Sequence, residues 1–149
     1  MLQRLSTDDL PALLTIEVAT QRSPWSREIF TQCLNISGCE AWGFWVQETL
    51  VAFVVFSLGS SGESHLFNLC VMPDFQRQGI ATQLLQHAVL TAHQNGATIM
   101  YLEVRRSNLA ALALYEQHGF SRIGERKNYY QDPDGSEDAI TCAMELSVL

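Results

Sequence analysis

The chain has 149 residues, enough for one domain with a real core, and its 47% hydrophobic and 17% charged residues are an ordinary globular balance. A net charge of −7 argues against a nucleic-acid surface, which needs a basic patch, and fits a cationic partner. No apolar run approaches the roughly 18 residues that span a bilayer, and the opening MLQRLSTDDL is too polar for a signal peptide, so a cytoplasmic protein with no membrane partner is expected.

In chain order, Leu2–Leu5 is a short strand, and Ser6 or Thr7 caps a helix in which Asp8 and Asp9 complement the dipole. Leu10, Leu13, Leu14, Ile16 and Val18 give that helix its apolar positions, to about Gln21. Ser23-Pro24-Trp25-Ser26 breaks it, and Ser26 caps a second helix from Arg27 to about Leu34, burying Ile29, Phe30 and Leu34. Trp25 reads as a hydrophobic staple for that helix or as part of a substrate lip. Ala41–Val46 and Leu50–Leu58 form a hairpin about Gln47-Glu48-Thr49, and Gly59–Glu63 turns the chain into a strand at His65–Val71.

Cys70–Ala88 is the organising stretch. Met72-Pro73-Asp74 ends the strand, and Gln76-Arg77-Gln78-Gly79-Ile80-Ala81 leads into a helix from Arg77 to about Asn95, closed by Gly96. The first amides of a helix have no internal partners and sit at its positive end. Gly79 and Ala81 leave this backbone bare and Arg77 adds a cation, so the turn is either a phosphate cradle or an ordinary strand–loop–helix. A strand at Thr98–Val104 follows, then a helix Leu109–His118 capped by Asn108 and Gly119. Phe120–Glu125 and Asp138–Leu146 are the last strands, separated by a polar loop Tyr130–Glu137. The order β-α-α-β-β-β-α-β-α-β-β is an α/β (α+β) arrangement, a mixed sheet of about seven strands flanked by about four helices.

No metal site is expected, because the four cysteines and four histidines show no ligand spacing. Cys70 and Cys142 read as buried free thiols; Cys33 and Cys39 could be exposed, and both are expected to be unpaired. In Thr98–Val104, Ile99, Tyr101 and Glu103 share one face and Met100, Leu102 and Val104 the other. On the residues alone, Glu103 is a strand-end carboxylate paired with Arg105, Arg106 or Arg126, and Tyr115 is an amphipathic core tyrosine.

The element order, with Gln76, Gly79 and Ala81 matching Q/R-x-x-G-x-G/A, resembles the GCN5-related N-acetyltransferase superfamily. Asn108-Leu109-Ala110-Ala111-Leu112-Ala113-Leu114-Tyr115 through Gly119-Phe120 is similar to that family's N-x-x-A-x-x-L-Y-x-x-x-G-F block. The resemblance covers essentially the whole chain, residues 1–149, as a single domain. Ser23–Ser26, Leu102–Arg105, Lys127–Tyr130 and Glu137–Ile140 resemble the branch that acetylates the N-terminal alanine of small-subunit ribosomal protein S-eighteen. Ala81 in place of a second Gly, and Cys70 where a smaller residue is common, are modest departures.

The resemblance implies acetyl-CoA as cosubstrate and no metal. It implies that the backbone of Arg77, Gln78, Gly79, Ile80, Ala81 and Thr82 binds pyrophosphate, and that Leu69, Cys70, Val71 and Asn108 hold the pantetheine arm. Carried over in the same way, Glu103 is the base, directly or through water, and Tyr115 the acid. Tyr129, Tyr130, Glu137 and Asp138 would line a groove for the basic N-terminus of a ribosomal protein, on a monomer or weak dimer. A same-fold enzyme acting on a small-molecule amine or lysine, and a non-catalytic CoA-binding subunit, are the alternatives.

Overall fold

The computed structural model describes residues 1–59 and 61–149. Seven strands form one sheet in the order β1-β2-β3-β4-β5-β7-β6. They are β1 Leu2–Arg4, β2 Cys39–Val46, β3 Thr49–Ser57, β4 Glu63–Val71, β5 Ile99–Arg105, β6 Ser121–Asp132 and β7 Gly135–Glu145. The helices are α1 Leu10–Thr20, α2 Arg27–Asn35, α3 Ile80–Gln94 and α4 Leu109–Gln117. The expected element order and α/β layering are thus observed.

The central strand β3 explains the layers. Ala52, Val54 and Phe56 pack into one buried cluster with Leu84, Leu85 and Ala88 of α3. Phe53 and Val55 pack into a second with Leu13 and Ile16 of α1 and Phe30 of α2. Alternation with period 2 sends successive side chains to opposite faces, so a strand covered on both sides reads as an uninterrupted apolar run. Trp25 staples α2: its ring lies 5.2 Å from that of Phe30, four residues beyond the Ser26 cap, whose hydroxyl accepts from the amide of Ile29.

Several expectations need correction. Val18 is 67% exposed and its neighbour Glu17 is buried instead; Ile29 is likewise exposed. Cys39 is buried rather than exposed. The organising helix starts at Ile80, not Arg77, because Arg77 (φ +63°) and Gly79 (φ +84°) both take left-handed conformations that a helix cannot contain. The expected polar loop Tyr130–Glu137 is mostly strand: β6 and β7 pair out to Asp132↔Gly135. Within the turn expected at Gly59–Glu63, Ser60 lies outside the described residues.

One irregularity positions the site. Val55 pairs with Asn68 and Phe56 with Leu66, so Phe67 is an extra residue on β4. The bulge exchanges the faces of the strand. Leu66, before it, is in the α3 cluster; Cys70, after it, is in the α1–α2 cluster, and Leu69 and Val71 now pack toward α3. The parallel ladder between β4 and β5 covers Glu63↔Ile99, Ser64↔Met100 and His65↔Tyr101 among the described residues, and the two strands then part.

Candidate active site

The parting strands open a cavity of about 420 Å³, lined by Leu66–Leu69 of β4 and Glu103–Arg105 of β5. It brings together Leu69, Glu103, Asn108, Tyr115, Tyr129 and Tyr130 of the sequence-predicted residues. Glu103 projects from the face of β5 opposite Met100, Leu102 and Val104, as the alternation predicted, and only 9% of its side chain is exposed. No arginine pairs with it among the described residues. Its Oε1 lies 2.8 Å from Nε2 of His65, a residue that sequence reasoning left unassigned. The arginines are engaged elsewhere: Arg106 pairs with Glu125, Arg126 lies over the Tyr129 ring, and Arg105 donates to Asp132 and Glu137.

Tyr115 reaches the cavity from α4, about two turns past the Asn108 cap, whose Oδ1 accepts from the amide of Ala111. Burial pushes its phenol well above the ordinary range, so it stays protonated at neutral pH. Tyr130 is also raised, to about 12, chiefly by burial. The Arg105 guanidinium lies 4.3 Å from the centre of the Tyr130 ring and fixes its plane.

Glu137 and Asp138 do not line the cavity. Glu137 accepts from Arg105 (3.0 Å) and from the amide of Ser107 (2.8 Å). Asp138 accepts from the amide of Asn128, where β6 carries extra residues opposite β7 and Asn128 takes φ +52°. Their geometry accounts for both carboxylates as supports of the β5–β6–β7 corner.

Glu17, Gln21, Trp25 and Asn68 also line the cavity and join Cys70 in a polar cluster, in which Glu17, Gln21 and Asn68 carry no role in the sequence reading. Glu17, 1% exposed, accepts from Asn68 Nδ2 (2.9 Å) and from the amide of Trp25 (2.9 Å). Cys70 Sγ donates to Asn68 Oδ1 at 3.1 Å, and Gln21 Nε2 donates to both. Burial, with the charge of Glu17, pushes the Cys70 thiol up to about 12, which makes it an inert buried donor. The signal that could have found Glu17 is its position one residue after Ile16 in an otherwise apolar helical face.

Beyond the end of β4, Gln76 Nε2 donates to the carbonyl of Val71 (3.0 Å) and ties the loop to the strand. Gln76, Arg77, Gln78 and Gly79 are exposed. Gly79 takes the N-cap position of α3 with no side-chain cap, leaving the amides of Ile80, Ala81 and Thr82 free of helical partners. A Cβ built on Gly79 would meet nothing within 4 Å. That bare, outward-turned backbone at the positive end of a 15-residue helix fits a diphosphate.

The sheet, the splayed strands and the uncapped helix define the class. The chain belongs to the Acetyltransferase (GNAT) family, whose sequence pattern matches residues 8–120, and it is an acyltransferase of that family. Along 97% of its length it is similar to the [Ribosomal protein bS18]-alanine N-acetyltransferase of Escherichia coli, with 39% identity across 96% of that protein. The crystal structure of the ribosomal-protein alanine N-acetyltransferase from Escherichia coli superposes with a TM-score of 0.89 at 37% identity, covering 98% of this chain and 93% of that one. Arabidopsis thaliana NAA60 in complex with acetyl-CoA shares the fold, with a TM-score of 0.87 at 18% identity over 99% and 98% of the two chains.

Proposed function

We propose that this protein moves the acetyl group of acetyl-CoA onto the α-amine of the N-terminal alanine of ribosomal protein bS18, acting in the cytoplasm as a single domain over residues 1–149. The observation that carries the reading is the cavity between β4 and β5, which Glu103 and Tyr115 both line. Similarity to the Escherichia coli enzyme along nearly the whole chain supports the substrate.

In this reading the amides of Arg77–Thr82 hold the pyrophosphate of acetyl-CoA. The pantetheine arm lies along Leu69, Cys70 and Val71 as a further strand, with Asn108 beside it and the amide of Val71 as oxyanion donor. Acetyl-CoA supplies an activated thioester carbonyl. Glu103 provides the negative charge that draws a proton from the incoming ammonium, and the neutral amine attacks. Tyr115 keeps its proton until charge develops on the departing sulfur, then donates to it. Tyr129 and Tyr130 face the peptide. A peptide α-amine, with pKa near 8, is already about one-tenth neutral at pH 7, whereas a lysine near 10.4 is neutral in only about one molecule in several thousand. A site with one carboxylate therefore suits an α-amine better than a lysine.

Glu103→Gln is the test. Turnover should fall by about 100-fold or more while acetyl-CoA affinity, measured by calorimetry, is kept. Full activity at neutral pH would remove Glu103 from the mechanism.

A further inference from the structure

His65 occupies the last rung of the β4–β5 ladder, immediately before the bulge at Phe67. Two contacts fix its ring. It is stacked on Phe67, with centroids 4.9 Å apart and planes 15° from parallel, and its Nε2 lies 2.8 Å from Oε1 of Glu103. Its backbone is held too, the amide donating to Ser57 Oγ at 2.8 Å. Of the pair, the imidazole is the more accessible: its side chain is 32% exposed against 9% for the carboxylate.

A carboxylate has no hydrogen to give, so with Glu103 as a carboxylate the hydrogen of the contact sits on Nε2. A neutral ring with its hydrogen on Nε2 leaves the lone pair of Nδ1 free to accept. A carboxylate behind an imidazole N–H is the arrangement that orients a histidine base and stabilises its imidazolium. An ordinary imidazole lies within about 2 pH units of a peptide α-amine, an ordinary carboxylate about 4 below it. Taking the proton onto a ring is therefore far less uphill than taking it onto a carboxylate.

We propose that the imidazole of His65, oriented by Glu103, is where the substrate's proton first comes to rest; this rests on reading the cavity as an acetyl-transfer site. An N–H bond of the substrate ammonium breaks, and its proton passes to Nδ1 directly or through one water. The freed nitrogen lone pair forms the bond to the thioester carbon, and the C–S bond breaks with its electron pair on sulfur. The second proton shed by the nitrogen replaces the one that sulfur takes from Tyr115. His65 returns its own proton to solvent. The titratable and charged groups sharing the cavity are Glu103 and Arg105 of β5, Glu17 of α1, Tyr115 of α4 and Tyr129 and Tyr130 of β6. Tyr101 pairs with His65 across the ladder, and among all of these Glu103 is the one hydrogen-bonded to the ring.

The test compares wild type, His65→Gln and His65→Ala from pH 5.5 to 9, with acetyl-CoA and a peptide that begins with alanine. The glutamine keeps an N–H for Glu103 but cannot take a proton at these pH values. Its kcat should fall by about 100-fold with KM values near wild type, and the limb of the kcat–pH profile that reports imidazole titration should disappear. Added imidazole should partly restore the alanine variant. Nitrogen NMR of the wild-type ring, assigned by its loss in His65→Gln, should show the hydrogen on Nε2 at neutral pH. Wild-type kcat and pH profile in His65→Gln, or the hydrogen on Nδ1, would overturn the proposal and leave Glu103 as the sole acceptor. Failure of the wild type to acetylate any amine would overturn the acetyl-transfer reading itself, and this proposal with it.

Discussion

Glu17 shows how much of the site hangs on one side chain. Its two oxygens hold Asn68 of β4 and the amide of Trp25, which carries the connection between α1 and α2 along the cavity edge. A buried carboxylate is stable only while such donors satisfy it, and removing it strands them. Glu17→Ala should cost about 3 kcal/mol, read as a lowered unfolding midpoint. Glu17→Gln, which can still accept from one donor, should cost less. Both should raise the peptide KM more than the acetyl-CoA KM, because Trp25 loses its anchor while the α3 loop is untouched. His65 is the other residue the sequence hid. A lone histidine in a strand has no spacing to betray it, and its partner lies 38 positions away, brought near only by the parallel ladder.

At the scale of the element, the loop into α3 was legible as a motif but not as geometry. Gln76, Gly79 and Ala81 marked the turn, yet the left-handed conformations that delay the helix to Ile80 depend on Arg77, a residue whose type does not announce positive φ. Gly79→Ala separates strain from function. A Cβ there meets nothing, so the folded protein should lose only the roughly 1 kcal/mol of left-handed backbone strain. Acetyl-CoA affinity should fall at least about tenfold, since a diphosphate held by these amides needs the close approach to bare backbone that a methyl obstructs. Gly96→Ala, also at positive φ with open space but at the other end of α3, should show the same strain and unchanged affinity, by melting and calorimetry. The corner of β5, β6 and β7 makes a pH prediction. The hydrogen bonds and charge of Arg105 and the hydroxyl of Ser23 hold Asp132 down at about 2, below an ordinary carboxylate near 3.8. A depressed folded value stabilises above the unfolded value and is lost as pH falls, so stability should drop between about pH 4 and 2. Asp132→Asn should flatten that part of an acid-unfolding curve. This corner was misread as a loop because Asp132-Pro133-Asp134-Gly135 is a strong turn signal; the turn is real, but long strands run right up to it.

Across the whole molecule, the sequence carried the layers well and their exceptions poorly. Alternation in β5 and the apolar run of β3 reported burial faithfully, because periodicity records which face meets a helix. The bulge at Phe67 left no such trace: β4 still alternates buried and less-buried residues through it, although the faces exchange halfway. The parting of β4 from β5, on which the cavity depends, leaves no mark in the residues of either strand, because both still read as ordinary strands. No helix is long and apolar enough to cross a membrane among the described residues. The formal charge of −7 suits a basic peptide, and such a pairing should weaken as salt screens it. The most direct test is mass spectrometry of purified protein with acetyl-CoA and two peptides. One is the N-terminus of bS18 with its alanine free; the other has that α-amine blocked and a lysine added. One acetyl gained on the free alanine and none on the lysine peptide is the predicted result. Acetylation of the lysine peptide, or of neither, would contradict it.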